Sequence, residues 1–339
     1  MTGLTALGRI CAALLTALVL ACGVYFLPEN DYQRWQLTDG TVYQQFRWAY
    51  ERIHFDPKPI DVAIVGPSKT MLGLSAARIE ERLSSLGKPL SVANFSVPAG
   101  GRNAEWAVLD ELFKSKAPKV IVVGVDETPY PWGHPAFKYL APAEAIVFPP
   151  EPLLHNYFYD LAYLPYRKAM LFGASLFPNL FGLRKQFDPD IYASTRTDFT
   201  TSFSLEGKFF DMEREVPRAT LLARTHEQVE RQSLLSRILA RCCNDGDEHV
   251  YIREIAREAK ARGVRLIFVF MPVFDGSQEV SDRKFLEQYG TLLSNGDLTE
   301  QDKLYENWSH LNHAGSLIAS DRLADAIARL DLTAEANRM

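Results

Sequence analysis

The residues best suited to chemistry in this 339-residue chain are a serine near its beginning and a histidine near its end. Ser68 follows an apolar run that closes with Gly66 and Pro67, and His310 lies in a polar loop. An imidazole that takes the proton of a serine hydroxyl makes it a nucleophile, and such partners are distant in sequence but adjacent in space. The pair therefore predicts nucleophilic chemistry. The alternative is a serine that only caps a helix and a histidine that only lies in a surface loop.

Alternating strands and helices are predicted around that pair. Continuous apolar runs predict strands at 60–65, 91–95, 120–125 and 264–271, and helical spacing predicts helices at 70–86, 103–114, 248–262 and 314–330. Strands that are apolar on both faces are typical of a parallel sheet covered by helices on both sides. The carboxyl ends of such strands share one edge, where open α/β sheets bind ligands. Ser68 and the loops at 94–101, 126–127 and 307–312 should therefore meet there.

The rest of the chain divides into an anchor, a connector and an insertion. Residues 1–28 are the anchor and 29–59 an aromatic-rich connector, while 60–128 and 246–332 form the α/β domain. The strand–helix rhythm stops between them, so 129–245 is predicted to be an insertion that caps the edge of the sheet. A helix is predicted within it at 219–240.

The N-terminal segment predicts a membrane helix. Residues 10–27 carry no charge and follow Arg9, and at about 1.5 Å per residue they extend roughly 27 Å, close to a hydrocarbon core. Arg9 should stay in the cytoplasm, which places the bulk of the chain on the extracytoplasmic, periplasmic side of a single-pass protein. A cleaved secretory signal, or a lipoprotein signal ending at Cys22, would place it on the same side.

Composition argues against several classes of ligand. The net charge is −5 and no long basic cluster occurs, so no nucleic-acid partner is predicted. Cys242 and Cys243 are adjacent, and the sequence contains no pattern of a disulfide framework. His310 and His313 lack a third ligand nearby in sequence, so neither a metal nor another cofactor is predicted.

Together these motifs resemble the SGNH/GDSL hydrolase superfamily. The resemblance rests on the strand followed by Gly66-Pro67-Ser68, the loop with Asn94 and two glycines after the second strand, and the ending at 308–315. That ending is similar to the membrane-anchored, cell-envelope branch, which includes alginate O-acetyltransferase-like and D-alanyl-transfer proteins. The resemblance covers roughly 60–140 and 248–330, and it implies a three-layer, flavodoxin-like parallel sheet.

The resemblance also implies roles for individual residues. Ser68 matches the nucleophile and His310 the general base, and the N–H groups of Ser68 and of Gly100 or Gly101 match the oxyanion donors. Asn307 stands where the family usually has the aspartate that orients the histidine, which leaves Glu306 or Asp302 as possible substitutes.

A second departure concerns the oxyanion site. Asp126 or Glu127 stands where the family has an asparagine donor. Asn94, Lys69 or Arg102 are then the alternatives for that role, because an ionised carboxylate would oppose a developing negative charge.

The resemblance implies an extracytoplasmic serine O-acetylesterase or O-acyltransferase that acts on an envelope or exported polysaccharide. Its partners would be the acylated envelope substrate, the membrane, and a multi-pass membrane protein that donates the acyl group. The alternative is a catalytically degenerate scaffold, or a glycan-binding component of a polysaccharide modification or export system. Asn307 and Asp126 favour that alternative.

Overall fold

Five parallel strands form the central sheet of this α/β protein. They appear in a computed structural model that describes residues 2–130, 132–150, 156–193, 198–205, 208–231 and 247–332. The strands in chain order are β1 (Val62–Val65), β2 (Val92–Asn94), β3 (Val120–Val125), β4 (Ser202–Leu205), β5 (Lys208–Asp211), β6 (Arg265–Phe270), β7 (Thr291–Ser294), β8 (Tyr305–Asn307) and β9 (His310–Leu311). The central sheet has the order β2-β1-β3-β6-β7, and β4-β5 and β8-β9 are separate antiparallel pairs.

Helices cover both faces of the central sheet. The described α-helices are α1 (Thr2–Tyr25), α2 (Asp31–Trp35), α3 (Gln45–His54), α4 (Ser68–Gly73), α5 (Ala76–Ser85), α6 (Arg102–Ser115), α7 (Phe137–Leu140), α8 (Ala143–Val147), α9 (Tyr157–Leu176), α10 (Pro178–Phe181), α11 (Arg218–Arg231), α12 (Asp247–Ala261), α13 (Arg283–Leu286) and α14 (His313–Ala328). Short 3-10 helices occur at Gln36–Thr38, Gly296–Leu298 and Asp302–Leu304.

Alternate residues of each strand face opposite helical layers. Ile64 and Val122 pack with α5 and α14 on one face, whereas Val65 and Val123 pack with α3, α6 and α12 on the other. Both cores are built from side chains that are almost fully buried. The alternation explains why β1 and β3 are apolar at every position, as parallel strands between two helical layers must be.

The predicted strands and helices are found with shifted bounds and two substantive differences. The predicted helix at 70–86 is two helices, because α4 ends at Gly73 and Ser75 caps α5 by accepting from the N–H of Arg78 at 3.1 Å. The fifth strand, β7, was not predicted. The two end residues of this four-residue strand are exposed, and the strand pairs only with β6. Its sequence therefore contains no continuous apolar run that would predict a strand.

The connector and insertion predicted from the sequence contain regular structure. Residues 29–59 include α2 and α3, whose Trp35 and Ile53 are fully buried in the core beneath α6. Residues 129–245 include α7 to α11 and the β4-β5 hairpin. The predicted helix at 219–240 is described only up to Arg231, and its remainder lies outside the described residues, as do Cys242 and Cys243.

The N-terminal helix has the properties that its composition predicts. Among the described residues, α1 is the one helix long and apolar enough to cross a membrane, over Ala6–Tyr25. None of the segment is buried within the protein. A signal sequence at an N-terminus would satisfy the same criteria of length and composition.

Candidate active site

Ser68 and His310 lie next to each other at the carboxyl edge of the sheet. Ser68 is the first residue of α4, directly after β1, and His310 begins β9. The Oγ atom of Ser68 lies 2.9 Å from Nε2 of His310, within hydrogen-bond distance. Both residues are partly exposed. The two residues that the sequence singled out for nucleophilic chemistry are therefore in contact.

A close-packed threonine fixes the turn that carries Ser68. Thr70 is fully buried between the ends of β1 and β3. A Cβ atom at Gly66 would lie 2.4 Å from Thr70 Oγ1, and one at Gly124 would lie 1.7 Å from the same atom. Both positions therefore exclude a side chain. The two glycines let α4 start close against the sheet, which places Ser68 at its rim.

Asn307 orients the histidine from the other side. Its Oδ1 accepts the N–H groups of Ser309 and His310 at 2.9 and 3.1 Å and lies 3.1 Å from Nδ1 of His310. With a proton on Nδ1, the imidazole donates to this oxygen and keeps the lone pair of Nε2 for the Ser68 hydroxyl. This is the tautomer that a general base needs. Ser309 Oγ also lies 3.1 Å from Nδ1.

The other end of the Asn307 amide meets a buried carboxylate. Nδ2 of Asn307 donates to Oε2 of Glu306, which is 7% exposed and has Arg214 3.6 Å from its other oxygen. Among the described residues, neither Glu306 nor Asp302 hydrogen-bonds the imidazole. Glu306 therefore contacts the amide of Asn307 and not the imidazole, so the histidine is oriented without a direct carboxylate partner.

The surroundings of His310 keep it neutral. Burial lowers the pKa of His310 from 6.5 to about 4, and the nearby positive charge of Lys69 lowers it further, against a smaller opposing effect of Asp126. Lys69 and Asp126 form an ion pair, with 3.0 Å between Nζ and Oδ1. A base with this pKa is almost entirely unprotonated at neutral pH.

Three main-chain N–H groups in the serine turn and in the loop after β2 have no hydrogen-bond partner among the described residues. The N–H groups of Ser68, Gly100 and Gly101 donate to no other group within the described part of the chain. The loop that follows β2 is joined to the serine turn by the N–H of Val97, which donates to the carbonyl of Gly66 at 3.1 Å. These groups are suited to an oxyanion, because preorganised N–H donors stabilise developing negative charge.

The two glycines of that loop are required by close neighbours. Gly101 has a φ of 140°, and a Cβ there would lie 2.1 Å from the backbone nitrogen of His134. A Cβ at Gly100 would lie 2.9 Å from the ring of Tyr130. The ring of the buried His134 holds the same loop, with Nε2 lying 2.9 Å from the carbonyl oxygen of Pro98.

The side chains proposed as alternative oxyanion donors have different surroundings. Nδ2 of Asn94 donates to the carbonyl of Leu74 at 2.9 Å and lies 3.4 Å from that of Thr70, so this amide connects β2 to the helix behind the serine. Arg102 is buried with Glu105 and Glu248 and donates to the carbonyl of Gly124 at 3.0 Å. Lys69, partly exposed beside Ser68, is the alternative closest to the pair.

The Lys69–Asp126 ion pair was not predicted from the sequence. The available signal was positional, because Lys69 follows β1, Asp126 follows β3, and these strands are neighbours in the sheet. Side chains just beyond the carboxyl ends of adjacent parallel strands lie close together. The pair also changes the role of Asp126, whose charge is balanced by Lys69.

The comparisons with known proteins give no family assignment: no family model matches the chain, and no curated protein does. The function must therefore be argued from the site itself.

Proposed function

We propose that this protein is an extracytoplasmic, membrane-anchored serine O-acetylesterase or O-acyltransferase of the SGNH type. The observation that carries the proposal is the contact of Ser68 Oγ with His310 Nε2 at 2.9 Å, with Asn307 on the other ring nitrogen. The strand order β2-β1-β3-β6-β7 supports the proposed fold, since it is the flavodoxin-like order when the strands are numbered within the sheet.

The proposed reaction is acyl transfer through a covalent intermediate. The Ser68 oxygen attacks the acyl carbonyl carbon, and its proton passes to Nε2 of His310. The imidazolium then protonates the leaving alcohol as the ester bond breaks. Water, or a hydroxyl of an acceptor, attacks the acyl-enzyme by the reverse sequence. The N–H groups of Ser68 and of Gly100 or Gly101 would hold the oxyanion in both steps.

The proposed substrate class is supported by the proposed location of the site. With α1 in the cytoplasmic membrane and Arg9 on its inner side, the site would face the envelope. The hydroxyl and the imidazole are both partly exposed at the rim of the sheet. A cavity of about 280 Å³ lies elsewhere, along β2, and its lining includes Met71 but not Ser68 or His310. An open site at the surface is better suited to an acylated polysaccharide than to a small molecule that must be enclosed. A multi-pass membrane protein would be the acyl donor for a transferase.

An asparagine at position 307, in place of an aspartate, favours a second candidate, a scaffold or glycan-binding component with a decayed site. In serine proteases, an Asp→Asn change at the comparable position costs about 10⁴ in kcat, largely through the wrong histidine tautomer. In this protein Oδ1 of Asn307, rather than its NH2 group, faces Nδ1 of His310. This contact favours the productive tautomer, so the main expected cost of the asparagine is the missing negative charge. This argument places the esterase first.

The two candidates differ in their response to a serine-directed probe. The full chain is incubated with a fluorophosphonate and, separately, with a chromogenic acetyl ester. The proposal expects labelling and hydrolysis that Ser68→Ala abolishes and that Ser85→Ala, a change of an exposed serine on α5, leaves intact. Folded protein that takes no label would contradict the esterase and support the scaffold.

A further inference from the structure

The helix α9 has its polarity reversed relative to that of a helix on a water-soluble surface. Its charged residues, Asp160, Arg167 and Lys168, are all buried. Arg167 is fully buried, and its guanidinium donates to the carbonyl oxygens of Lys138 and Ala141 at 2.8 and 2.7 Å. A surface helix normally turns its charges outward and its apolar stripe inward.

The outward face of α9 carries no charge along its whole length. We define the outer face as the residues at one side of this helix, which are Phe158, Ala162, Pro165, Tyr166, Ala169, Phe172, Gly173 and Leu176. Phe158, Tyr166 and Leu176 are 69, 60 and 56% exposed. The apolar surface continues in Phe177 and Leu180, next to and within α10, which are 62 and 80% exposed. An uncharged aromatic surface of this extent needs an occupant other than water.

The position of α9 beside α1 points to the lipid bilayer as the occupant of the outer face. Tyr25, the last residue of α1, belongs to the same apolar cluster as Leu161 of α9, and Nζ of Lys168 lies 6.0 Å from the centre of the Tyr25 ring. Glu29, just beyond α1, pairs with Arg167 at 3.4 Å and with Lys168 at 3.8 Å. These contacts, made from the opposite side of α9, hold this helix at the end of α1, where α1 would leave the bilayer.

The composition of α9 decides how it would meet the membrane. With three charged residues in 20 it does not qualify as a spanning helix, whereas α1 does. A helix with an apolar outer face and aromatic side chains lies in the interface, between headgroups and acyl chains. We propose that the outer face of α9, with α10, lies in the bilayer interface beside α1. The proposal rests on the anchoring part of the proposed function and not on the chemistry of Ser68.

Depth-dependent quenching of a fluorophore tests this placement. Cys11, Cys22, Cys242 and Cys243 are replaced by serine in the full chain. A single cysteine is then introduced by Ala162→Cys or Ala169→Cys and labelled with an environment-sensitive dye. The labelled protein is reconstituted in phosphatidylcholine vesicles with and without a doxyl quencher on the acyl chain. Ala261→Cys, at an exposed alanine of α12, is the matched control in water, and Leu14→Cys in α1 is the control inside the bilayer.

We expect quenching at 162 and 169 to be several-fold stronger than at 261. Weak quenching at 162 and 169 together with strong quenching at 14 would overturn the proposal and leave the anchor intact. Weak quenching at all positions, including 14, would contradict both the membrane contact of α9 and the membrane insertion of α1. Ester hydrolysis is measured on the same vesicles, so failure of the Ser68 chemistry is seen separately from failure of the membrane contact.

A charge placed on the outer face supplies an independent test. The double change Ala162→Glu and Ala169→Glu puts carboxylates at exposed positions, where folding tolerates them, and Leu176→Cys carries the dye. We expect lipid quenching at 176 to fall several-fold, because carboxylates avoid the interface, while Ala261→Glu leaves it unchanged. Quenching at 176 that persists in the double variant contradicts the proposal. A dye shielded only in native membranes, and exposed to water in lipid vesicles, would indicate a protein partner and also contradict it.

Discussion

At the scale of single residues, Asn307 determines what His310 can do. One end of its amide contacts the imidazole and the other donates to the buried Glu306. The side chain therefore selects the tautomer but supplies no net charge to the imidazolium. Burial and Lys69 then set the pKa of His310 at about 4. As the proposed base, His310 would be weak but unprotonated at neutral pH.

The pH profile of the reaction should report this low pKa. Only neutral His310 can accept the serine proton, so we expect kcat/KM for an acetyl ester to rise with pH through about 4 and to be level from pH 6 to 7.5. Initial rates across pH 3 to 8, corrected with Ser68→Ala, measure the curve. An acid limb centred near 6.5 would show that the environment of His310 does not lower its pKa.

Asn307→Asp should move that limb to higher pH. A carboxylate beside Nδ1 stabilises the imidazolium, so we expect the pKa of His310 to rise by about one unit or more, with a higher kcat at neutral pH. Glu306 lies next to the new carboxylate and repels it. Adding Glu306→Gln removes this repulsion, so the new carboxylate stays ionised to lower pH. The rise in the pKa of His310 should then be larger. Asn307→Ala is the control, for which we expect a kcat below that of the wild type. If the acid limb of the pH profile were unchanged in Asn307→Asp, the contact between residue 307 and His310 would be contradicted.

At the scale of elements, the packing of Thr70 between β1 and β3 controls where α4 begins. Gly124→Ala puts a methyl group 1.7 Å from Thr70 Oγ1 in the present geometry. We expect a loss of about 1–3 kcal/mol in the free energy of unfolding, as for other overpacked cores. Urea denaturation measures it.

Thr70→Ala provides the partner change for that experiment. Thr70 Oγ1 is buried and has no hydrogen-bond partner among the described residues, so removing it sacrifices no hydrogen bond. We expect the double variant Gly124→Ala/Thr70→Ala to be less destabilised than the sum of the single variants, since the methyl group gains room. Strictly additive losses would mean that Gly124 and Thr70 do not interact.

The same elements show what the sequence could predict. β1 and β3 are apolar throughout, so their existence and parallel pairing followed from composition. The contact between Ser68 and His310 was predicted from the shared edge of the sheet and from the family resemblance. β7 could not be predicted because an edge strand with two exposed ends has no apolar run. The outer face of α9 was also missed, since its pattern inverts the usual rule and Pro165 interrupts it.

At the scale of the whole molecule, His134 couples global stability to pH. Burial lowers the pKa of His134 from 6.5 to about 4. Between these pH values the unfolded chain binds more protons than the folded one, so the free energy of unfolding rises with pH. The contribution is fully present above pH 6.5 and is lost as the pH falls to about 4. A shift of this size corresponds to about 3 kcal/mol.

His134→Gln should therefore flatten the dependence of stability on pH. Glutamine can still donate to the carbonyl of Pro98 but does not titrate in this range. We expect the variant to lose less of its unfolding free energy than the wild type between pH 6.5 and 4.5. Urea titrations at both pH values measure the difference. Equal losses would show that His134 is protonated without cost in the folded protein.

The short segment after α1 limits how far the α/β body could move from a membrane that holds α1. Trp35 and Ile53 are fully buried, and Glu29 is clamped by two cations of α9. If α1 lies in the bilayer as proposed, these contacts would hold the α/β body close to the membrane surface. Under the proposed function, the Ser68 hydroxyl would then stand at one nearly fixed height above the lipid. An acylated polysaccharide, as the proposed substrate, would have to move past Ser68 at that height.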